Sequence, residues 1–65
     1  MKAQHLTVEH RDKILVTGEG SKRKRGTIRD LDFTASSYVL ATVDYPAKGL
    51  LKVALPLDAD IEIEN

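Results

Sequence analysis

The sequence predicts an all-β fold: five or six short strands, strongly bent into one small barrel that takes in residues 1–65 as a single domain. Three observations predict it. Apolar residues recur at a period of two, as at Leu31 and Phe33, at Leu51, Val53 and Leu55, and at Ile61 and Ile63, which is the signature of half-buried strands. Clusters of turn-forming residues interrupt these runs at intervals of roughly 8–12 residues, the spacing of a small sandwich or barrel. The chain has only 65 residues, so closing one sheet on itself is the economical way to hide edges that would otherwise pair with other chains.

Taken in order, Leu6, Thr7 and Val8 alternate apolar and polar and read as a first short strand. In such a strand the odd spacing of His5 and His10 puts them on opposite faces, where they do not share a metal. Ile14, Leu15, Val16 and Thr17 form a β-branched run, and Gly18, Glu19, Gly20 and Ser21 end it in a turn. Four cations follow before Gly26. Alternation resumes over 27–33, with Leu31 and Phe33 on one face and Phe33 in the core. Ile28 falls out of phase with them, a slip that a bulge or sharp bend near Arg29 and Asp30 repairs. Thr34, Ala35, Ser36 and Ser37 make a tight connection.

Residues 38–43 are rich in strand formers and apolar on both faces. Pro46 and Gly49 mark 44–49 as a hairpin loop. Leu51, Val53 and Leu55 share the face of the next strand, which Pro56 stops. The only helical stretch the pattern admits is a single turn over 57–60. Ile61 and Ile63 then alternate with acidic residues in a last short strand.

Composition excludes several classes. Hydrophobic residues make up 42% and charged residues 31%, a globular balance. There is no cysteine, and so no disulfide framework, thiolate metal site or cysteine nucleophile. No apolar run approaches the ~18 residues of a membrane span, and the opening MKAQHLTVEH has no hydrophobic leader core. No membrane partner and a cytoplasmic location are expected. A domain of this size hides only about 60% of its unfolded surface, so association into a homo-oligomer is a reasonable expectation.

The formal net charge is zero, but it conceals an asymmetry. Residues 1–29 hold eight Lys and Arg against three Asp and Glu, a net +5, whereas residues 30–65 hold two against seven, a net −5. The cations concentrate at Lys22, Arg23, Lys24 and Arg25, on what reads as a hairpin tip. With Arg29, and with Lys13 flanking, they are the candidate nucleic-acid contacts. Four adjacent cations cannot all be paired locally, and a phosphate backbone takes up such charge. Two plainer readings compete: a charged tip that keeps the chain in solution, and a contact with the acidic half of a neighbouring copy. Only Phe33, Tyr38 and Tyr45 are available as bases for stacking.

The stretch ILVTGEGSKRKRGTIRDLD resembles the first motif of Sm-like (Lsm) small β-barrels. That motif has an apolar strand, a glycine turn, a second glycine, an apolar residue two positions on and an aspartate six positions on, here Gly26, Ile28 and Asp32. In that family the glycine lets the second strand bend sharply, in keeping with the phase slip at Arg29. The tail KVALPLDADIEI is similar to the ending of the Sm-like C-terminal domain of bacterial ribosome maturation factors, and also to that of PRC-barrel domains. The resemblance covers 13–63 and implies an SH3-like or Sm-like barrel. It does not extend to a uridine pocket: Ser36 stands where the RNA-contacting loop usually has Asn, and acidic residues at 57–60 replace the second motif.

No catalytic constellation is present. His10, Arg11 and Asp12 echo a kinase tripeptide without its surroundings, no nucleophile elbow surrounds Ser36 or Ser37, and a filled barrel this small has little room for a cleft. The alternating Asp58, Asp60, Glu62 and Glu64 read as a charged edge that discourages aggregation. No enzyme activity, cofactor or metal is therefore expected. The expectation is a small binding protein that contacts nucleic acid, RNA ahead of DNA, through phosphates and with low sequence specificity. The alternative is a protein-interaction or self-assembling adaptor with no nucleic-acid ligand, suggested by the apolar surplus at Leu50, Leu51, Ala54 and Leu57.

Overall fold

A computed structural model describes residues 1–64. Five strands, β1 (Ile14–Thr17), β2 (Lys24–Asp32), β3 (Tyr38–Tyr45), β4 (Gly49–Pro56) and β5 (Glu62–Glu64), form one antiparallel sheet in the order β4-β3-β2-β1-β5. β4 and β5 are its two edges, and no ladder joins them among the described residues. The sheet is therefore not closed, and the expected removal of both edges is not found.

The strands follow the pattern that predicted them. The register between β2 and β3 slips between Ile28 and Asp30, at the phase break. An extra residue there lets Ile28 and Leu31 lie on one face although three positions separate them, and both are buried. The bulged segment is held from outside. Asp12 N–H donates to the Ile28 carbonyl at 2.8 Å, Ile28 N–H donates to the Lys13 carbonyl at 2.9 Å, and Arg11 Nε donates to the Arg29 carbonyl at 3.3 Å. The 34–37 connection begins with a local turn in which Asp32 Oδ1 accepts from the Thr34 N–H and hydroxyl. These bonds hold the Asp32 carboxyl below its ordinary range.

One core occupies one face of the sheet. Leu15, Ile28, Leu31, Val39, Ala41, Val43 and Leu55 come from the strands, and Ala3, Leu6 and Ile61 from the segments that cover one end. A single sheet buries that many side chains on one face only by bending round them.

The N-terminal segment differs from expectation. Residues 6–8 are not a strand: Ala3–His5 and Val8–His10 are two short 3-10 turns. Leu6 is buried while Val8 is 65% exposed, so the alternation reflects one inward anchor rather than a pleat. Thr7 starts the second turn. Its hydroxyl accepts from Glu9 N–H at 3.3 Å, and its own N–H donates to His10 Nδ1 at 2.9 Å. The segment is tied to the chain between β4 and β5 by Ala3 N–H to the Ala59 carbonyl, Gln4 N–H to the Leu57 carbonyl and Ile61 N–H to the Met1 carbonyl. Lys2 Nζ pairs with Asp60 at 2.8 Å, which raises the Lys2 pKa and lowers that of Asp60.

Phe33 is a second correction. It lies just past the end of β2 and is 42% exposed, beyond the last rung that would turn it inward. Among the described residues no helix is long and apolar enough to cross a membrane.

Candidate functional site

The cationic run sits where β1 turns into β2. Gly18, at φ +80°, begins that turn, and a Cβ there would lie 2.4 Å from the Lys22 carbonyl oxygen. A short 3-10 turn, Gly20–Lys22, follows, so the four cations lie partly in the turn and partly on β2.

They separate into two sets. Arg23 pairs with Glu62 at 3.0 Å and approaches Glu64 at 3.9 Å, and Arg25 pairs with Glu64. These links cross from β2 over β1 to β5. Val16, whose sheet neighbours are Arg25 and Glu62, is buried on that outer face although it is no part of the core. No ion pair joins Lys22 or Lys24 to a carboxylate among the described residues.

Arg29 stands apart from the tip. Its guanidinium lies 3.4 Å from Asp12 and 3.9 Å from Asp44, at the bulge. Lys13 is half-buried at the entry to β1, its carbonyl holding Ile28. The structure thus keeps Lys22, Arg23, Lys24 and Arg25 at one end of the β1–β2 hairpin, with Arg23 and Arg25 engaged by β5, and places Arg29 and Lys13 near the bulge instead.

Beside the tip lies a cleft of about 380 Å³ that the sequence did not single out. Tyr45, Leu51 and Val53 form its apolar wall, Pro46 and Ala47 continue it through the β3–β4 turn, and Thr17 closes the β1 side. Lys24, Arg25 and Lys48 stand on its margin, and no carboxylate lines it. Register explains the assembly. Thr17 is opposite Lys24 and Leu15 opposite Gly26, so Lys24 shares the core-facing side of β2 with Gly26 but lies past the end of the core.

Gly26 is what admits the tyrosine. A Cβ at this position would lie 2.5 Å from Val43 Cγ1 and 2.8 Å from Tyr45 Cδ1, so the Val43 and Tyr45 side chains occupy the space a β2 side chain would need. Burial pushes the Tyr45 phenol up from its ordinary pKa, and a hydrogen bond with Thr17 works in the opposite direction. The available signals were a Tyr-Pro pair in a hairpin loop with a lysine two residues on, and a glycine inside a strand.

A second cleft, of about 390 Å³, is lined by Glu19, Asp60 and Glu62 beside Val16, and its charge is opposite. His5 and His10 lie in separate 3-10 turns, and no group of three or more ligating side chains is placed to hold a metal among the described residues. Asp60, Glu62 and Glu64 are instead engaged with Lys2, Arg23 and Arg25. Comparison with known proteins finds no matching family model, no similar curated protein and no similar solved structure.

Proposed function

We propose that this chain is a non-catalytic, cytoplasmic binding protein for single-stranded nucleic acid, RNA ahead of DNA, built on an open barrel of the SH3-like or Sm-like kind. The observation that carries the reading is that Lys24, Arg25 and Lys48 border one cleft, and that neither lysine is paired with a carboxylate among the described residues. Lysines at such a margin hold phosphates without reading sequence. Arg23 and Arg25 are a reserve. Exposed ion pairs are worth about 0–1 kcal/mol, so a phosphate can displace Glu62 and Glu64 from them at small cost.

The test is binding of oligouridylate at several salt concentrations, by filter retention. Affinity falls with salt with a slope of about −0.7 per neutralised phosphate. Replacing Lys22, Lys24 and Lys48 with Gln flattens the slope, whereas Glu62→Gln with Glu64→Gln frees the two arginines and steepens it. Salt-independent binding, or a slope that neither set of substitutions changes, refutes the proposal.

A second reading has its own observation. Leu50 and Leu51 are 64% and 41% exposed on β4, an edge strand whose backbone borders β3 alone. Such an edge accepts a strand from another chain, so self-association or capture of a protein through β4 is the competing function. Mass measured in solution at low and high salt tests self-association: a mass above one chain at both supports it. A monomer at both leaves only capture of another protein, and no partner on an immobilised chain refutes that.

A further inference from the structure

We infer that the cleft between Tyr45 and Lys24 seats a single nucleobase, with the adjoining phosphate held between Lys24 and Lys48. This deepens the nucleic-acid reading and rests on it. The wall is aromatic and aliphatic, from Tyr45, Leu51 and Val53, and the charged groups of the lining, Lys24, Arg25 and Lys48, are all cations. A nucleotide has this same pairing of parts: a flat, weakly hydrated ring joined to an anion. The lysines are exposed and free of carboxylate partners among the described residues, so charge complementarity favours an anionic occupant. The absence of any carboxylate in the lining removes the repulsion a phosphate would meet.

Leu51 supports the same conclusion. It lies on the core-facing side of β4, two positions from Val53 and four from the buried Leu55, yet it is 41% exposed. An apolar side chain on an inward face that the described residues leave uncovered is available for a ligand to bury. Stacking on an aromatic side chain is sequence-tolerant, because every base has a π face. The site therefore contributes affinity with little base preference.

The protein contains two tyrosines and no tryptophan, so Tyr38→Phe leaves Tyr45 as the only strong intrinsic fluorophore. In that background, oligouridylate is expected to quench the tyrosine emission. It is expected to bind about five-fold or more tightly than an abasic ribose-phosphate strand of equal length. Lys24→Gln with Lys48→Gln, both exposed positions, weakens both strands without unfolding the chain. Equal affinity for the two strands with unchanged emission overturns the inference while leaving phosphate binding intact. Failure to bind either strand removes the nucleic-acid reading as well. Quenching by an acidic, leucine-containing peptide but not by either strand overturns the inference in favour of a protein occupant.

Discussion

The two ends of the β3–β4 hairpin are built from the same alternating pattern and finish in opposite states. At the end near Pro56, Leu55 is 5% exposed, packed with Ala3, Leu6 and Ile61. At the end near Gly49, Leu51 has the same orientation and is 41% exposed. What differs is the lid. The N-terminal turns and the chain between β4 and β5 stopper one end through backbone hydrogen bonds, and among the described residues nothing equivalent reaches the other. One end is therefore structure and the other is available surface. Inward orientation makes a side chain eligible for burial, but burial itself depends on a covering segment.

The sharpest way to break this comparison is truncation at both ends. Leu55→Ala removes a filled core position and costs about 2–5 kcal/mol, a large share of the roughly 5–15 kcal/mol that holds a domain folded. Leu51→Ala changes stability by about 0.5 kcal/mol or less, as exposed positions do, while reducing ligand binding. Urea denaturation of both variants checks this, and equal losses would show that the two ends are equivalent.

Gly26 joins the two regions, since the missing side chain admits both the core residue Val43 and the cleft residue Tyr45. Gly26→Ala overpacks this point and destabilises by about 1–3 kcal/mol. It also displaces the Tyr45 ring, visible as a changed tyrosine signal. A neutral substitution would mean that the ring is held elsewhere.

The smallest effect is electrostatic and belongs to the stoppered end. The depressed carboxyls of Asp60 and Asp32 contribute stability that is present above the unfolded carboxylate range, near pH ~4, and is lost as pH falls through their lower folded values. Lys2 works in the other direction. Its raised pKa contributes stability that is complete below the unfolded value of 10.5 and is lost as pH rises through the folded one. Asp60→Asn removes the paired share across the range between the two. Denaturation midpoints against pH, compared with the parent chain, are expected to converge in acid and above the lysine range and to differ modestly between.

Much of the sheet was legible because its signals are local. The turn residues at 18–21 and 44–49 and the slip at Ile28 each concern neighbours in sequence, and the structure follows them to within a residue or two. Two things were not local. The first is the partnership of Arg23 and Arg25 with Glu62 and Glu64, which lie 39 residues away and meet only because β5 returns beside β1. No spacing rule would reveal it. The second is the cleft, assembled from β1, β2 and the β3–β4 turn, whose residues share no motif. The N-terminal turns were missed for another reason. A buried Leu6 flanked by polar residues satisfies a strand pattern and a turn pattern equally, and the His10 acceptor that completes the Thr7 cap is not one of the usual Glu or Gln partners.

The surplus residue at Arg29 separates two properties that usually travel together in a ribbon of strands. On either side of it, Ile28 faces Val43 and Asp30 faces Thr42. Excising Arg29 would therefore leave every sheet partner matched as before, while removing the bulge and the Arg11, Asp12 and Asp44 contacts made there. Alignment of the second strand with the third is thus encoded apart from the bend that the extra residue introduces.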